Sequence, residues 1–110
     1  QACDVIQAMQ ADANIKMHEL RVDGGASKNN FLMQFQSDIL DCEVQRPQIT
    51  EVTALGAAFL AGLAVGYWKD LSELEARSKI ETRYNPVCDD EKRAKRYAGW
   101  KRAIKCAQMW

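Results

Sequence analysis

Leu20-Arg21-Val22 alternates like a strand, Asp23-Gly24-Gly25 interrupts it, and from Asn30 apolar residues return at helical spacing. A strand handed to an amphipathic helix points to an α/β layer structure, because each element must bury one face against the other. The glycines allow backbone angles closed to other residues. The helix start beyond them has N–H groups without internal partners and the positive end of a dipole, a setting that favours phosphate. With no Cβ at Gly24 or Gly25, a phosphate or a flat base can approach the main chain, and Asn29 can both donate and accept hydrogen bonds. Pattern alone leaves two readings open, an ordinary tight turn or a phosphate seat, since neither G-x-x-x-x-G-K-[ST] nor G-x-G-x-x-G is present. Lys28 divides the same way, between phosphate ligand and solvated first-turn lysine.

The remaining chain alternates between the two periodicities. Val5, Ile6 and Met9 predict a helix over residues 1 to about 12, ended by Ala11-Asp12-Ala13-Asn14. Phe31, Leu32, Phe35, Ile39 and Leu40 give the helix from Asn30 to about Leu40 one broad apolar face. Cys42 to Arg46 alternates, with Cys42 and Val44 on one side, and Pro47 closes the strand. In the helix predicted over Val52 to Gly66, Ala54, Ala58, Gly62 and Gly66 recur every fourth residue beside Leu55, Phe59 and Leu63. Interior glycine costs about 1 kcal/mol relative to alanine, so another backbone is expected to pack close to that small-residue face.

A short polar helix capped by Asp70 or Ser72 comes next, then an extended run from Ile80 to Pro86. A final helix spans Asp89 to Met109 with a stripe of Tyr97, Trp100, Ile104 and Ala107. Only two strands are clear, and a two-stranded sheet is marginal alone. Further strands are therefore expected from elsewhere in the protein, unless helix packing compensates. Residues 1–110 read as one domain. The chain opens at Gln1 within a helical pattern and without methionine, and is expected to be a piece of a longer protein.

Fifteen Lys and Arg balance fifteen Asp and Glu, so no global field argues for nucleic acid or an anionic membrane. The longest apolar run, Val52 to Val65, is shorter than the ~20 residues of a membrane span. Gln1-Ala2-Cys3-Asp4 has no basic start of a secretory signal. Cys3, Cys42, Cys88 and Cys106 are widely spaced and His18 is the one histidine, so reduced thiols in the cytoplasm are expected, not a zinc cluster. One rival function uses the basic final helix. Lys92, Arg93, Lys95, Arg96, Lys101, Arg102 and Lys105 interleave with Tyr97, Trp100 and Trp110, as in a non-catalytic interaction module. The same residues also fit a solvated helix whose aromatic stripe packs on the domain.

Four stretches in order, Leu20 to Leu40, Val44 to Pro47, Glu51 to Trp68 and Arg96 to Lys105, resemble the C-terminal portion of the FGGY carbohydrate kinases, and above all the members that phosphorylate glycerol. The resemblance implies a two-domain, actin-like (ribonuclease H-like) ATPase fold, of which this chain would be a helix-rich part with a small incomplete sheet. It implies transfer of the γ-phosphoryl group of ATP to glycerol, giving sn-glycerol 3-phosphate and ADP, with nucleotide in the cleft between two domains and Mg²⁺ held mainly outside this chain. On the family pattern Gly25 and Asn29 contact the nucleotide, and Gly24 is the flexible partner in the turn. The catalytic aspartate and the glycerol site lie upstream in the family, so this chain alone is expected to be inactive and to expose apolar surface. The whole protein is expected to be a cytoplasmic homo-oligomer that binds ATP, ADP and glycerol, and neither nucleic acid nor membrane. A relative acting on another sugar, such as a xylulose kinase, is the alternative. Cys88 to Lys95 falls where some bacterial relatives carry a regulatory surface, and no residue pattern there carries regulation over.

Overall fold

The computed structural model describes residues 1–110. Helix α1 (Ala2–Ala13) leads through a loop to strand β1 (Glu19–Arg21), a 3-10 turn (Gly25–Lys28) and helix α2 (Asn30–Leu40). Strand β2 (Glu43–Pro47), helices α3 (Val52–Ala64) and α4 (Leu71–Arg77), strand β3 (Ile80–Tyr84) and helix α5 (Asp90–Gln108) follow. Local chemistry sets these boundaries. Asn14 and Asp41 close α1 and α2 in the left-handed region, at φ 51° and 53°, which short polar side chains tolerate. Asp70, not Ser72, caps α4 by accepting the Glu73 N–H at 3.0 Å. Asp89 caps α5 through the Lys92 N–H at 2.8 Å.

The sheet has three strands in the order β1-β2-β3. β1 runs parallel to β2, as its helical crossover through α2 requires, and the extended run after α4 pairs antiparallel on the other side of β2. That third strand, read from sequence only as extended, gives β2 two neighbours and buries Val44 completely. Register sets Glu19 opposite Glu43, and the Gln45 amide reconciles the two carboxylates by donating to both, at 2.8 and 2.7 Å. Gln45 first, and then Arg83 at 2.7 Å, hold Glu43 below its ordinary carboxylate range.

Helix α2 covers one face with Met33 and Ser37 buried. The Ser37 hydroxyl lies within donating distance of the carbonyls of Cys42, 2.8 Å, and Tyr84, 2.9 Å, so it ties the helix to β2 and β3 together. Burial pushes Asp38 up, but hydrogen bonds from the Val87 N–H, Gln34 and the Cys88 N–H, with Arg96 nearby, outweigh it and leave the carboxyl below its usual range. Arg93 of α5 donates to the Asp38 carbonyl at 2.6 Å and pairs with Asp41 at 3.0 Å. Burial raises the thiols of Cys3 and Cys42, which disfavours the reactive thiolate.

Helix α5 is clasped to α1 at Asp4 and Gln7, the latter 3.1 Å from the Tyr97 hydroxyl. Asp4 accepts from the Tyr97 hydroxyl at 2.6 Å and the Trp100 indole N–H at 2.7 Å. Those bonds, Tyr97 first, hold Asp4 below its ordinary 3.8, and the carboxylate pushes Tyr97 up to about 12. Because the folded Asp4 value is depressed, its contribution is present above 3.8 and lost as pH falls through the folded value. The raised Tyr97 contributes below its ordinary 10.0, and that contribution is lost as pH rises towards about 12. Tryptophan emission is therefore expected to change on acidification below pH 3.8, and Asp4→Asn to remove that change. An unaltered acid transition in Asp4→Asn would place the titrating group elsewhere.

Helix α3 differs from the expectation drawn from its small residues. It ends at Ala64, and Gly66 belongs to the following turn with φ 76°. The chain turns back after Gly66 and lays the Trp68 indole over Gly62, where a Cβ would collide with Nε1. The indole meets Phe59 and Tyr67 edge-on at 5.9 and 4.6 Å, with the Arg77 guanidinium 4.6 Å above it. No residue of α3 is buried.

Only nine of the 110 residues are buried, and the radius of gyration is 17.6 Å. A domain of this length that closes on its own core measures about 13 Å. The apolar faces of α1 and α3, together with Phe31, thus lie open within this chain. No helix is long and apolar enough to cross a membrane.

Candidate functional site

The corner between β1 and α2 is built from its backbone outward. The Val22 N–H still pairs with the Gln45 carbonyl at 3.0 Å, and the Gly24 N–H with the Thr50 carbonyl at 3.0 Å, so the chain is held by hydrogen bonds as it leaves the sheet. Gly24 then takes φ 81° and ψ 172°, a conformation almost restricted to glycine. A short 3-10 turn follows before α2 starts at Asn30, the residue from which the sequence pattern takes helical spacing. Ser27 is buried and its hydroxyl donates to the Gly24 carbonyl at 2.6 Å, locking the turn from inside.

Gly25 has no such internal reason. Its φ is not positive, and a Cβ built on it would meet nothing within 4 Å. The missing side chain leaves bare peptide facing solvent. Asn29 lies beside it, exposed, as the cap of α2, with Oδ1 accepting the Leu32 N–H at 3.1 Å. That bond commits the oxygen and leaves the two amide N–H donors of Asn29 free. Gly24, Gly25 and Asn29 are thus brought together on one exposed corner. Lys28 is exposed, and its carbonyl, not its ammonium, is tied into the fold.

A cleft of about 480 Å³ opens at the carboxyl ends of the parallel strands β1 and β2; it reaches the turn at Asp23, and Gly24, Gly25 and Asn29 do not line it. Val22, Asp23, Pro47, Val52, Phe59 and Ile80 are among the residues lining it. Open α/β sheets bind ligands at this end of their strands. A phosphate or flat heterocycle at the corner would meet peptide N–H groups and the Asn29 amide. No group of three or more His, Cys, Asp or Glu side chains is placed to hold a metal ion.

Residues that sequence reading left without a role support the corner. Ser27, Asn30, Arg46 and Tyr84 form its underside: Asn30 Oδ1 accepts from Arg46 at 2.8 Å and from the Tyr84 hydroxyl at 2.8 Å. The signal available for Arg46 was its place two residues from Val44, on the same face of β2. The basic residues of α5 are partly engaged within the fold. Arg96 lies 5.5 Å from the Phe35 ring and Lys101 4.9 Å from Tyr97, while Trp110 stands free.

Residues 1–65 match the model of the FGGY family of carbohydrate kinases, C-terminal domain. The chain is 64% identical over its whole length to a glycerol kinase of Vibrio vulnificus, and to one of Vibrio cholerae. It spans 22% of the length of these relatives. Among solved structures, the glycerol kinase of Plasmodium falciparum with ADP superposes with a TM-score of 0.82 at 36% identity, covering 94% of this chain and 21% of that one. A ligand-bound xylulose kinase of Lactobacillus acidophilus gives 0.58 at 27%, covering 74% of this chain and 16% of that one. A small sheet under a helix-rich shell is what these actin-like neighbours share with it, and the chain belongs to the FGGY family of carbohydrate kinases.

Proposed function

We propose that the polypeptide carrying this chain is an ATP-dependent glycerol kinase, and that residues 1–110 belong to its nucleotide-binding C-terminal domain. The observation that carries this reading is the uncovered peptide edge at Gly25 beside the free amide of Asn29, in a chain 64% identical to glycerol kinases. Phosphoryl transfer depends on positioning and on stabilising charge on the moving group, with little covalent work for the protein. The corner supplies one wall of that arrangement: Gly24 shapes the turn, Gly25 admits the nucleotide to the main chain, and Asn29 donates to it. On the family resemblance, the Mg²⁺ that accompanies ATP is held mainly by segments outside this chain. Glycerol is preferred over a pentulose because similarity to glycerol kinases extends over more of the chain and at higher identity. A cytoplasmic homo-oligomer is the form proposed for the whole enzyme.

The purified intact polypeptide, given ATP and glycerol, is expected to release ADP and glycerol 3-phosphate one for one, at about 1–100 turnovers per second. Fast turnover of xylulose with none of glycerol would overturn the substrate. Turnover of neither would overturn the kinase.

A further inference from the structure

Arg46 projects from β2 on the face it shares with Val44, and its side chain is only 12% exposed. A guanidinium taken that far out of water needs compensation at each of its donors. Nη2 donates to the Thr82 hydroxyl at 3.2 Å, and the Glu81 carboxylate lies 3.3 Å from Nε as an ion pair without hydrogen-bond geometry, both on β3. Nη1 turns the other way. It reaches the carbonyl oxygens of Ser27 at 3.1 Å and Lys28 at 3.3 Å, and Oδ1 of Asn30 at 2.8 Å. The Tyr84 ring lies 5.7 Å from the guanidinium carbon, and its hydroxyl closes the circuit on Asn30.

One side chain therefore fastens β2 and β3 to the last carbonyls of the 3-10 turn and the first residue of α2. Those peptide units separate Gly25 from Asn29. Their planes set where the exposed N–H groups of the turn and the Asn29 amide point. The two neighbouring asparagines divide the work: Asn30 faces inward to Arg46 and Tyr84, and Asn29 faces outward. We infer that Arg46 is a positioning residue for the nucleotide corner, holding the turn from beneath so that Gly25 and Asn29 meet their ligand in a fixed geometry. This rests on the reading that the corner holds nucleotide.

Lysine cannot replace it, because one ammonium cannot span acceptors on the turn and on β3 at once. The test uses Arg46→Gln, Arg46→Lys and Gly25→Val in the intact kinase, with KM for ATP and for glycerol, kcat, direct ATP binding, and hydrogen exchange of the amides between Gly24 and Asn30. Misplacing a binding group by about 1 Å can cost up to about 100-fold, so Arg46→Gln is expected to raise KM for ATP roughly tenfold or more. KM for glycerol should stay within about twofold, because the change is local to the nucleotide. The amides should exchange faster, and Arg46→Lys should recover less than half of the ATP effect. Should Arg46→Gln fail to fold, Arg46→Lys carries the same comparison.

An unchanged ATP KM, or equal rises for both substrates, overturns the assignment. If Gly25→Val abolishes ATP binding while the Arg46 variants keep normal ATP constants, only the role of Arg46 falls. If Gly25→Val binds ATP normally, the nucleotide corner falls, and the role of Arg46 with it.

Discussion

Gly25→Val in the intact polypeptide, on the proposed kinase function, is expected to lower kcat/KM for ATP by about 100-fold or more while leaving thermal stability nearly unchanged. The two halves of that expectation come from one geometric fact. A Cβ at Gly25 meets nothing within 4 Å, and the residue does not occupy the left-handed region, so the folded chain accommodates valine without a clash. Exposed substitutions of this kind usually stay within about 0.5 kcal/mol. The same open space is what the ligand needs. An isopropyl group there holds phosphate or base away from the peptide edge, and each donor lost to a transferring group removes about 3–4 kcal/mol of transition-state stabilisation. Gly24→Ala should behave in the opposite way. At φ 81° and ψ 172° any side chain is strained, by about 1–3 kcal/mol, so the loss should appear mainly as a lower melting temperature. Two adjacent glycines thus give separable phenotypes, one in binding and one in stability. Normal ATP affinity in a folded Gly25→Val protein would remove the corner from the nucleotide site.

Much of this corner was legible in the sequence because its determinants are local. The strand-to-helix change around Gly24-Gly25 and the span Asn30 to Leu40 need only alternation, helical spacing, a capping asparagine and a polar C-terminal stop. What escaped depends on partners distant in the chain. The run from Ile80 becomes a strand because β2, more than thirty residues earlier, offers it a free edge. Arg46 reads as one more cation in a short strand until α2 folds back and brings the carbonyls of Ser27 and Lys28 over it. The small residues of α3 are a further case. Spacing shows that a face is kept bare but does not identify what approaches it, and at Gly62 the visitor is Trp68, six residues on.

The 110-residue chain expressed alone is expected to transfer no phosphoryl group from ATP to glycerol, and to sediment as oligomers that bind a hydrophobic dye. The catalytic half follows from how little of the relatives' length this chain spans, 22%. Phosphoryl transfer needs an oriented acceptor and charge stabilisation as well as a nucleotide wall, and the corner is proposed to supply the wall alone. The associative half follows from area. Nine buried residues make a small core, whereas α3 is apolar along most of its length and buries none, and the cleft it lines with Val22, Ile49 and Ile80 is open. Apolar surface in water is unfavourable by about 25 cal/mol per Å², so exposed patches of several hundred Å² drive contact with whatever apolar surface is nearest. In the intact polypeptide, of which relatives have nearly five times this length, that surface is expected to meet the remainder of its own domain. In the isolated chain the nearest such surface is another copy. Joining the chain to the rest of the polypeptide should therefore abolish dye binding and restore activity together, because one covering surface supplies both. A clean monomer at high concentration would contradict the first half of this expectation, and glycerol phosphorylation by the isolated chain the second.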